Sequence, residues 1–555
     1  MKLIDLIISF AAAAAVFCTP AYASGPAPAE SQDPYAGYRT SWAMKAEQAM
    51  PELVKTVYRP LYLVEGVRDS SAYQGWRMRR SGELSDYYGV SLKQRPCVTV
   101  DFGKHITGRF SFRVRTLSRT QDAPLRLKFT FGEVPAEMNV PFDPFPGTLS
   151  RAWMQDEVIT LEQIDCDVTL PRRISGRYMR VELLGGSPDF DFAMDDMWFT
   201  AESSAPQEAV TELPADTPEI IRKINDVSVE TLRECMQTVY EDGPKRDHRL
   251  WAGDLYLESL ANRHSFRNFS LTKRCLYLFA SLAAEDGTVV SNIFEKPEPH
   301  PQYGSYCLTY CLLYNSTLLE YLKDTGDYET AEDLWIVARH QVEDALTYVG
   351  DDYVFDSSRR PVWLFFDWRE GLDADAPIQG AVIFALQQTY ELAVMLGKES
   401  EVPHWPRIAE KMKKAAMKRY YDKSRGVFVS GPDSQVSVLG QTWMIKSGVV
   451  SGKQAQKAIQ TALADDSTVM PGTPYATHYL VDAMLICGMY DQARDYLTDY
   501  WGGMVEKGAD TFWEAYDPRN DYISPYNFHP LNSYCHAWSC TPVYFIHTWP
   551  EVFLK

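Results

Sequence analysis

Two acidic segments that lie far apart in the chain carry the residue types needed for acid and base chemistry. The first, residues 241–254, lies between two helical patterns and contains acidic and cationic residues together with His248 and Trp251. A merely solvated loop more often carries small polar residues. The second, residues 511–517, sets Glu514 between aromatic residues. Two carboxyl groups with aromatic walls suit cleavage of a glycosidic bond, in which one protonates the leaving oxygen and the other activates water or attacks the sugar. The alternative is that both segments are ordinary surface turns.

Composition limits the class of protein and of partner. A chain of 555 residues is too long for one compact core, so we expect two or more domains. The formal net charge of -19, from 55 Lys and Arg against 74 Asp and Glu, argues against nucleic acid or an anionic membrane as partner. The 14 Trp, 33 Tyr and 25 Phe favour a carbohydrate partner only slightly, because most such side chains belong to cores.

The N-terminal residues predict a cleaved secretion signal over residues 1–23. An apolar, Ala-rich run precedes an Ala-x-Ala sequence at residues 21–23, which is the form of a cleavage site. A bulky phenylalanine stands before Cys18, so cleavage after Ala23 is favoured over a lipoprotein. We therefore expect a secreted, periplasmic protein with a loose Pro-, Ala- and Ser-rich leader over residues 24–45. No later apolar run is long enough to span a bilayer.

The next part of the chain, residues 46–205, alternates polar and apolar residues in short runs, such as residues 97–102 and 125–131. Alternation with a period of two, interrupted by Gly, Pro and Asp, predicts antiparallel strands and hence an N-terminal β-sandwich or jelly roll. This domain carries no obvious catalytic set. We interpret it as an accessory module that serves mainly for packing.

After a Pro-rich linker near residues 205–218, apolar residues recur at every third and fourth position. This period predicts about twelve helices. Short and long connections alternate between them, which suggests six helical hairpins closed into an (α/α)6 barrel over residues 215–555. The long connections would meet at one mouth of the barrel and bring distant segments to one site. Four of them carry aromatic and acidic residues: 242–254, 365–370, 513–514 and 532–539.

The order and spacing of these clusters resemble the inverting α-L-rhamnosidases of glycoside hydrolase family 78. The resemblance covers most of the chain after the predicted signal, and it implies a β-domain followed by an (α/α)6 barrel that hydrolyses rhamnosides without a metal or cofactor. The shared features are the run Val98-Thr99-Val100-Asp101-Phe102-Gly103 followed by Gly108, the Asp-x-Pro-x-Arg-Asp loop at 242–247, the Phe-x-Asp-Trp-like turn at 365–368, Trp513-Glu514, and Cys535-His536-Ala537-Trp538-Ser539.

The resemblance also implies roles for individual residues. Glu514 would be the general base that activates water. Asp242, Arg246 and Asp254 would hold the sugar hydroxyls, although an ion pair between Arg246 and Asp254 that orients the loop is the alternative. His536 would hydrogen-bond the substrate or the base. The residues expected to form the pocket walls and contact the sugar are Trp251, Asp367, Trp368 and Trp513.

One departure from the family's pattern affects the general acid. The usual loop has an Asp-Glu-Arg triplet with the acid on its Glu, whereas this chain has Asp247-His248-Arg249 and is one residue shorter before Trp251. Aligned from the left, His248 replaces the acid; aligned from the right, through Trp251 and Asp254, Asp247 takes its place. We predict that Asp247 is the acid, because a carboxyl group buried beside a tryptophan can keep its proton near neutral pH, and that His248 contacts the substrate.

Three functions follow from this sequence. The first is a secreted, exo-acting hydrolase that removes terminal α-L-rhamnosyl or related residues from oligo- or polysaccharides, with carboxyl groups about 6.5–9.5 Å apart on Asp247 and Glu514. The second is a carbohydrate-binding protein with an inactive site, in which His248 marks the lost acid. The third is a hydrolase or lyase that processes uronic acids, since a fold does not fix a function. The dispersed His and Cys residues indicate no metal site, and no pattern indicates an oligomeric state.

Overall fold

The computed structural model describes residues 33–120 and 124–555, which form a β-rich N-terminal domain and a helical C-terminal domain, as predicted. The predicted signal, residues 1–23, lies outside the described residues. The strands of the first domain are β1 (Val54–Tyr58), β2 (Tyr62–Arg68), β3 (Trp76–Gly82), β4 (Cys97–Thr116), β5 (Leu125–Gly132), β6 (Asp156–Leu161), β7 (Asp167–Thr169), β8 (Ile174–Gly185) and β9 (Phe192–Ser203). The second domain contains the short strands β10 (Arg249–Trp251), β11 (Asn292–Phe294), β12 (His300–Pro301), β13 (Tyr421–Asp422) and β14 (Val427–Phe428).

The helices are α1 (Arg39–Gln48), α2 (Glu219–Cys235), α3 (Ala252–His264), α4 (Phe269–Ser281), α5 (Leu308–Thr325), α6 (Tyr328–Leu346), α7 (Asp375–Met395), α8 (Trp405–Tyr420), α9 (Val438–Lys446), α10 (Gly452–Ala464), α11 (Pro474–Ile486), α12 (Tyr490–Glu506), α13 (Pro542–Thr548) and α14 (Pro550–Phe553). Among the described residues no helix combines the length and the apolar composition needed to cross a bilayer.

The long strand β4 joins the two layers of the N-terminal domain. Its first half pairs with β2 and β8 and its second half with β9 and β7, so the layers are β3-β2-β4-β8-β5-β6 and β1-β9-β4-β7. Gly103, where β4 passes between the layers, has a φ of 82°, which glycine adopts at little cost. Phe110 and Phe112 pack on Phe129 of the other layer with ring centroids 5.4 and 4.6 Å apart. The layers therefore form a sandwich around an aromatic core.

The prediction that residues 24–45 form a loose leader is wrong for its described part, residues 33–45. This part leads into α1, which packs against α4 of the helical domain. Tyr35 and Trp42 are completely buried, and the Arg39 guanidinium donates hydrogen bonds to three carbonyl groups at and after the end of α4. The Pro- and Ala-rich composition suggested a loop, but the burial of two aromatic side chains holds this segment on the barrel.

Helices α2 to α13 form six hairpins in two concentric rings. In the inner ring α3, α5, α7, α9 and α11 contact one another in that order, and α13 contacts α3. The rings of His478 in α11 and Phe545 in α13, 4.9 Å apart, close the circle. The inner helix α11 is buried along almost its whole length, whereas the outer helices α8 and α10 bury one face each. The predicted (α/α)6 barrel is therefore confirmed.

The connections that lead into the inner helices meet at one mouth of the barrel. The loop before α3 supplies residues 242–251, the loop before α7 supplies residues 363–368, and the long connection before α13 supplies residues 514–538. Strand β10 pairs with β11, which fixes the end of the first loop against the α4–α5 connection. Segments that are distant in sequence thus face a common space.

The N-terminal domain holds the acidic loop through buried ion pairs. Lys245 Nζ lies 2.9 Å from Glu133 Oε2 and 2.8 Å from Glu137 Oε1, and all three side chains are almost fully buried. Arg173 pairs with Glu241, the residue before Asp242, at 2.5 Å. The β-domain therefore positions the loop, which goes beyond the packing role that the sequence suggested.

Replacing Lys245 by Met is expected to lower the free energy of unfolding by about 3–5 kcal/mol, because it removes the buried cation that Glu133 and Glu137 share. Burial raises the pKa of Glu133, but the Lys245 ammonium and His105 outweigh this effect and hold the pKa at about 2. The contribution of Glu133 to stability is therefore present above about pH 4.3, its ordinary pKa, and is lost as the pH falls toward 2. Urea denaturation at pH 7, pH 4 and pH 2.5 measures both effects.

The matched control is Lys55→Met, which removes an exposed lysine that lies 3.3 Å from Glu202. An exposed pair contributes less than about 1 kcal/mol, so this variant should unfold close to the wild type. Equal losses in the two variants would show that the Lys245 pair does not hold the domains together.

Candidate active site

A narrow pocket at the mouth of the barrel, with a cavity volume of about 60 Å³, brings most of the predicted site residues together. Eight of them line it: Asp242, Arg246, Asp247, Trp251, Asp254, Trp368, Glu514 and His536. Five aromatic residues complete the wall: Tyr310, Trp363, Phe365, Tyr526 and Trp538. The pocket thus combines carboxyl groups, one guanidinium and one imidazole with an aromatic lining.

The structure places His248 outside this pocket, which corrects the prediction that it contacts a sugar there. Its Nε2–H donates to the carbonyl oxygen of Pro244 at 2.5 Å, and its ring packs edge-on against Trp153 with centroids 5.7 Å apart. The backbone φ of His248 is 63°, a left-handed conformation that turns the loop at this residue. His248 therefore faces a neighbouring cavity, whose wall Asp247 also lines, and not the pocket itself.

Trp513 and Asp367 also lie outside the pocket, so their predicted contact with a sugar is corrected as well. Trp513 is buried and stacks on Tyr73 of the N-terminal domain, with ring centroids 4.1 Å apart. Asp367 accepts hydrogen bonds from the backbone N–H of Gly472 and the hydroxyl of Thr473, at 2.6 and 2.7 Å. Both residues support the pocket from behind.

Glu514 is buried, and hydrogen bonds hold both of its carboxylate oxygens. Oε2 accepts from Arg246 Nη2 at 2.5 Å and from the backbone N–H of Ser533 at 3.1 Å, and Oε1 accepts from the Tyr526 hydroxyl. Burial raises the pKa of Glu514, but the charges of Arg246 and His536 and these hydrogen bonds outweigh it and hold the pKa below its ordinary value. Glu514 is thus a carboxylate at neutral pH, the form that a general base requires.

Arg246 joins two carboxyl groups on one guanidinium. Its Nη1 donates to Asp247 Oδ1 at 3.1 Å, while its Nη2 donates to Glu514 Oε2 at 2.5 Å. The guanidinium carbon lies 4.4 Å from the ring centroid of Tyr526, and the side chain is buried. Because the guanidinium is a planar and rigid fork, it fixes the two carboxyl groups relative to each other.

Asp242 closes the acidic loop on itself. Its Oδ1 accepts from the backbone N–H of Arg249 at 3.1 Å, and its Oδ2 accepts from that of Asp247 at 3.3 Å. Burial and the nearby charges of Asp247 and Asp254 raise the pKa of Asp242 to about 7, against the opposing charges of His536 and Arg246. Asp242 therefore fixes the direction of Asp247 and titrates near neutral pH.

Two buried polar atoms of the pocket, Asp254 Oδ1 and His536 Nδ1, have no hydrogen-bond partner among the described residues. The contact between His536 Nε2 and Asp254 Oδ1 is long, at 3.5 Å. Burial lowers the pKa of His536, but the carboxyl groups of Asp254 and Glu514 outweigh it and raise the pKa. Unpaired buried polar groups are costly, so an acceptor on Asp254 and a donor on His536 fit the hydroxyl groups of a ligand.

Comparisons with known proteins identify the family. The N-terminal domain of the glycosyl hydrolase family 78 alpha-rhamnosidases matches residues 60–201, and the bacterial alpha-L-rhamnosidase six-hairpin glycosidase domain matches residues 217–549. This chain belongs to glycoside hydrolase family 78. It is similar to a rhamnosidase from Klebsiella oxytoca solved with rhamnose bound, with 36% identity, a TM-score of 0.88, and coverage of 92% of this chain and 99% of that one.

Two longer rhamnosidase structures share the fold at lower identity. The rhamnosidase of Bacillus sp. GL1 is 18% identical with a TM-score of 0.68 over 81% of this chain and 46% of that one. The α-L-rhamnosidase of Streptomyces avermitilis, complexed with L-rhamnose, is 16% identical with a TM-score of 0.64 over 90% of this chain and 44% of that one. This chain therefore spans less than half the length of these two proteins. No curated protein matches it.

The pocket of this family 78 enzyme contains aromatic residues that the sequence analysis did not assign. Tyr310 lies in the first turn of α5, and its ring centroid is 6.1 Å from that of Trp251. Trp538 Nε1 donates to the backbone carbonyl of Glu514 at 3.0 Å. The Phe-x-Asp-Trp-like turn and the Cys-His-Ala-Trp-Ser run could have indicated Phe365 and Trp538, whereas no sequence signal distinguishes Tyr310.

Replacing Arg246 by Lys is expected to lower kcat about 10- to 100-fold, because an ammonium group cannot hold both Asp247 and Glu514 in the geometry of the fork. Arg246 also keeps the pKa of Glu514 low, so the variant should raise that pKa. The catalytic form of Glu514 is the carboxylate, and the acidic limb of the kcat/KM profile should therefore move to higher pH. Rates measured between pH 3 and pH 8 test this.

The control for this substitution is Arg59→Lys, which alters an exposed pair with Asp196 in the N-terminal domain. Its pH profile should match that of the wild type. If the acidic limb of Arg246→Lys stayed in place or moved to lower pH, Arg246 would not be the group that holds Glu514 ionised.

Proposed function

We propose that this family 78 enzyme removes terminal α-L-rhamnosyl residues from oligo- or polysaccharides with inversion of configuration. The observation that carries the proposal is the Arg246 fork, which presents Asp247 and Glu514 to one narrow pocket. The rhamnose bound in the Klebsiella oxytoca relative supports a rhamnosyl group as the sugar. A pocket this narrow suits one terminal sugar ring, which supports exo action.

In the proposed reaction Asp247 is the general acid and Glu514 the general base. Asp247 donates its proton to the glycosidic oxygen as the bond to the anomeric carbon breaks. Glu514 removes a proton from a water molecule that attacks the anomeric carbon from the opposite face. This single displacement needs about 6.5–9.5 Å between the carboxyl groups to admit the water, and the Arg246 fork allows such a separation.

The other pocket residues bind and orient the sugar. Asp254 accepts from one ring hydroxyl and His536 donates to another, which satisfies their unpaired atoms. Trp251 and Trp368 provide apolar surfaces for the sugar ring. Binding in this way excludes bulk water, so that the charges of Arg246 and Glu514 act at full strength on the reacting centre.

The test is hydrolysis of p-nitrophenyl α-L-rhamnopyranoside beside the corresponding α-L-arabinoside, β-D-glucoside and β-D-glucuronide. We expect kcat/KM for the rhamnoside to exceed the others by about 100-fold or more. Saturable binding of rhamnose without turnover of any substrate would favour the carbohydrate-binding alternative. Preferred turnover of the glucuronide would favour the uronic-acid alternative.

We also propose that the protein is exported, with cleavage after Ala23. This proposal rests on the apolar run and the Ala-x-Ala sequence within residues 1–23. N-terminal sequencing of protein recovered from the periplasmic fraction should begin at Ser24. An N-terminus at or before Cys18 would contradict it.

A further inference from the structure

A second cavity, of about 610 Å³, opens beside the active-site pocket, and Asp247 lines both spaces. We call it the leaving-group cavity, because the group released by the proposed reaction must lie on the side of the general acid away from the terminal sugar. The N-terminal domain supplies Arg109, Trp153, Arg172 and Arg173 to its wall, and the α4–α5 connection supplies Lys296. It is much wider than the pocket for the terminal sugar.

Two cations of the leaving-group cavity lack a carboxylate partner within the described ranges. Arg109 donates from Nη1 to the carbonyl oxygen of Pro171 at 2.8 Å and lies in no ion pair, and Lys296 lies in none either. Arg172 and Arg173, by contrast, are paired at 2.5 Å with carboxylates of the protein. Arg109 and Lys296 are therefore free to bind an anion.

The carboxyl groups in the wall of the leaving-group cavity already have cationic partners within the protein. Glu241 pairs with Arg173, and Asp247 lies on the Arg246 fork. Glu295, which also lines the cavity, pairs with Arg274 at 3.1 Å. The net charge around the cavity is thus positive, although the whole chain carries a formal charge of -19.

The pKa of His248 reflects the same positive charge around the cavity. Burial lowers its pKa well below the ordinary value, and the cations Arg173, Arg172 and Lys296 lower it further. The ring is therefore neutral at neutral pH and adds no charge of its own. Its neighbour Trp153 provides a flat apolar surface at the same wall, of the kind on which a sugar ring can pack.

We propose that the leaving-group cavity selects a leaving group that carries a carboxylate, with a uronic acid residue as its natural form. Arg109 and Lys296 bind the carboxylate while Trp153 packs against the ring, and Asp247 protonates the oxygen that joins this ring to the terminal sugar. The inference rests on the proposed function, because it defines which glycosides the same acid and base cleave. In this proposal the uronic acid is the residue that is released, and the narrow pocket holds the terminal rhamnosyl residue.

The experiment compares 4-carboxyphenyl α-L-rhamnopyranoside with its methyl ester. The two substrates have nearly the same shape and differ in one charge, and the ester has the better leaving group. We expect kcat/KM for the acid to exceed that for the ester about 5-fold or more, mainly through a lower KM. In 1 M NaCl, where charges are screened beyond about 3 Å, this ratio should fall toward one.

The double variant Arg109→Gln with Lys296→Gln should reduce the acid-to-ester ratio below one. The matched control is Arg126→Gln, which removes an exposed arginine of β5 in the same domain that does not line the cavity. If the effect is local, Arg126→Gln has the same acid-to-ester ratio as the wild type. If the overall charge of the protein causes the effect, this variant lowers the ratio. Each substrate serves as the reference for the other, so a general loss of folding cannot imitate the result.

The outcomes separate the inference from the proposed function. Equal kcat/KM values for acid and ester in the wild type, or an unchanged ratio in the double variant, would overturn the inference while rhamnoside hydrolysis stands. If the enzyme turned over p-nitrophenyl rhamnoside but accepted neither the carboxyl-bearing substrate nor its ester, the inference would be overturned as well. Failure of all rhamnosides would overturn the proposed function and the inference together.

Discussion

Asp247→Asn is expected to lower kcat/KM for a rhamnosyl disaccharide about 10²- to 10⁴-fold, the usual contribution of a general acid. The amide cannot give a proton to the glycosidic oxygen. The loss of kcat/KM should therefore be large for a poor leaving group and small for a good one. 2,4-Dinitrophenyl α-L-rhamnopyranoside departs without protonation, and its rate should fall less than about tenfold. Steady-state kinetics with both substrates measures the difference.

His248→Asn is the control for the general acid, because the other alignment of the acidic loop gives His248 this role. The ring of His248 bonds to Pro244 and lies outside the pocket, so its loss should cost less than about tenfold with either substrate. A large, leaving-group-dependent loss in His248→Asn together with a small loss in Asp247→Asn would reverse the assignment.

Glu514→Gln is expected to lower kcat about 10³-fold or more for every rhamnoside, whatever the leaving group, because water must still be activated when the leaving group is good. The amide keeps the shape of the side chain but cannot accept a proton from water. KM should change little, since Asp254 and His536 continue to hold the sugar. Comparing the disaccharide with the dinitrophenyl glycoside distinguishes this pattern from that of Asp247→Asn.

Glu258→Gln is the matched control for Glu514→Gln. Glu258 is equally buried and lies in α3 behind the site, but it does not line the pocket. Burial, with the neighbouring carboxyl groups of Asp254 and Asp242, raises its pKa well above the ordinary value, and its two buried oxygens have no hydrogen-bond partner among the described residues, which favours the neutral form. Its replacement by the neutral amide should leave kcat within a few-fold of the wild type. Equal losses in both variants would point to damaged folding and not to lost base catalysis.

The arrangement of the barrel was predictable from sequence because the inner and outer helices repeat apolar residues with the helical period. The long connections were predictable for a different reason, since they interrupt that period with aromatic and acidic residues. The segment at residues 33–45 was not predictable from composition, because the burial of Tyr35 and Trp42 also depends on the barrel, where the Tyr35 hydroxyl donates to the carbonyl oxygen of Gly287. Local sequence carries no signal for such a partner.

The three misplaced site residues have one physical explanation. Each is a chain neighbour of a residue that does reach the pocket: His248 follows Asp247, Trp513 precedes Glu514, and Asp367 precedes Trp368. In extended backbone consecutive side chains point to opposite sides, and in each of these three pairs only one side chain reaches the pocket. A motif identifies the segment, but the backbone conformation determines which of its side chains faces the pocket.

Other features of the site depend on contacts between distant segments. Arg246 joins its chain neighbour Asp247 to Glu514, and Lys245 joins the acidic loop to the N-terminal domain. Tyr526 bonds to Glu514 from a connection without a motif. The sequence supplied the residue types for these contacts, but the pairs became evident only in the folded chain.

The most direct test of the central claim, that Asp247 and Glu514 act as acid and base across one water molecule, is the configuration of the first product. Proton NMR of the anomeric signals during hydrolysis of p-nitrophenyl α-L-rhamnopyranoside records it before the anomers equilibrate. The account predicts that β-L-rhamnose appears first and that the α-anomer follows by mutarotation. If α-L-rhamnose appeared first, the reaction would pass through a covalent intermediate, and Glu514 could not act only as a base for water.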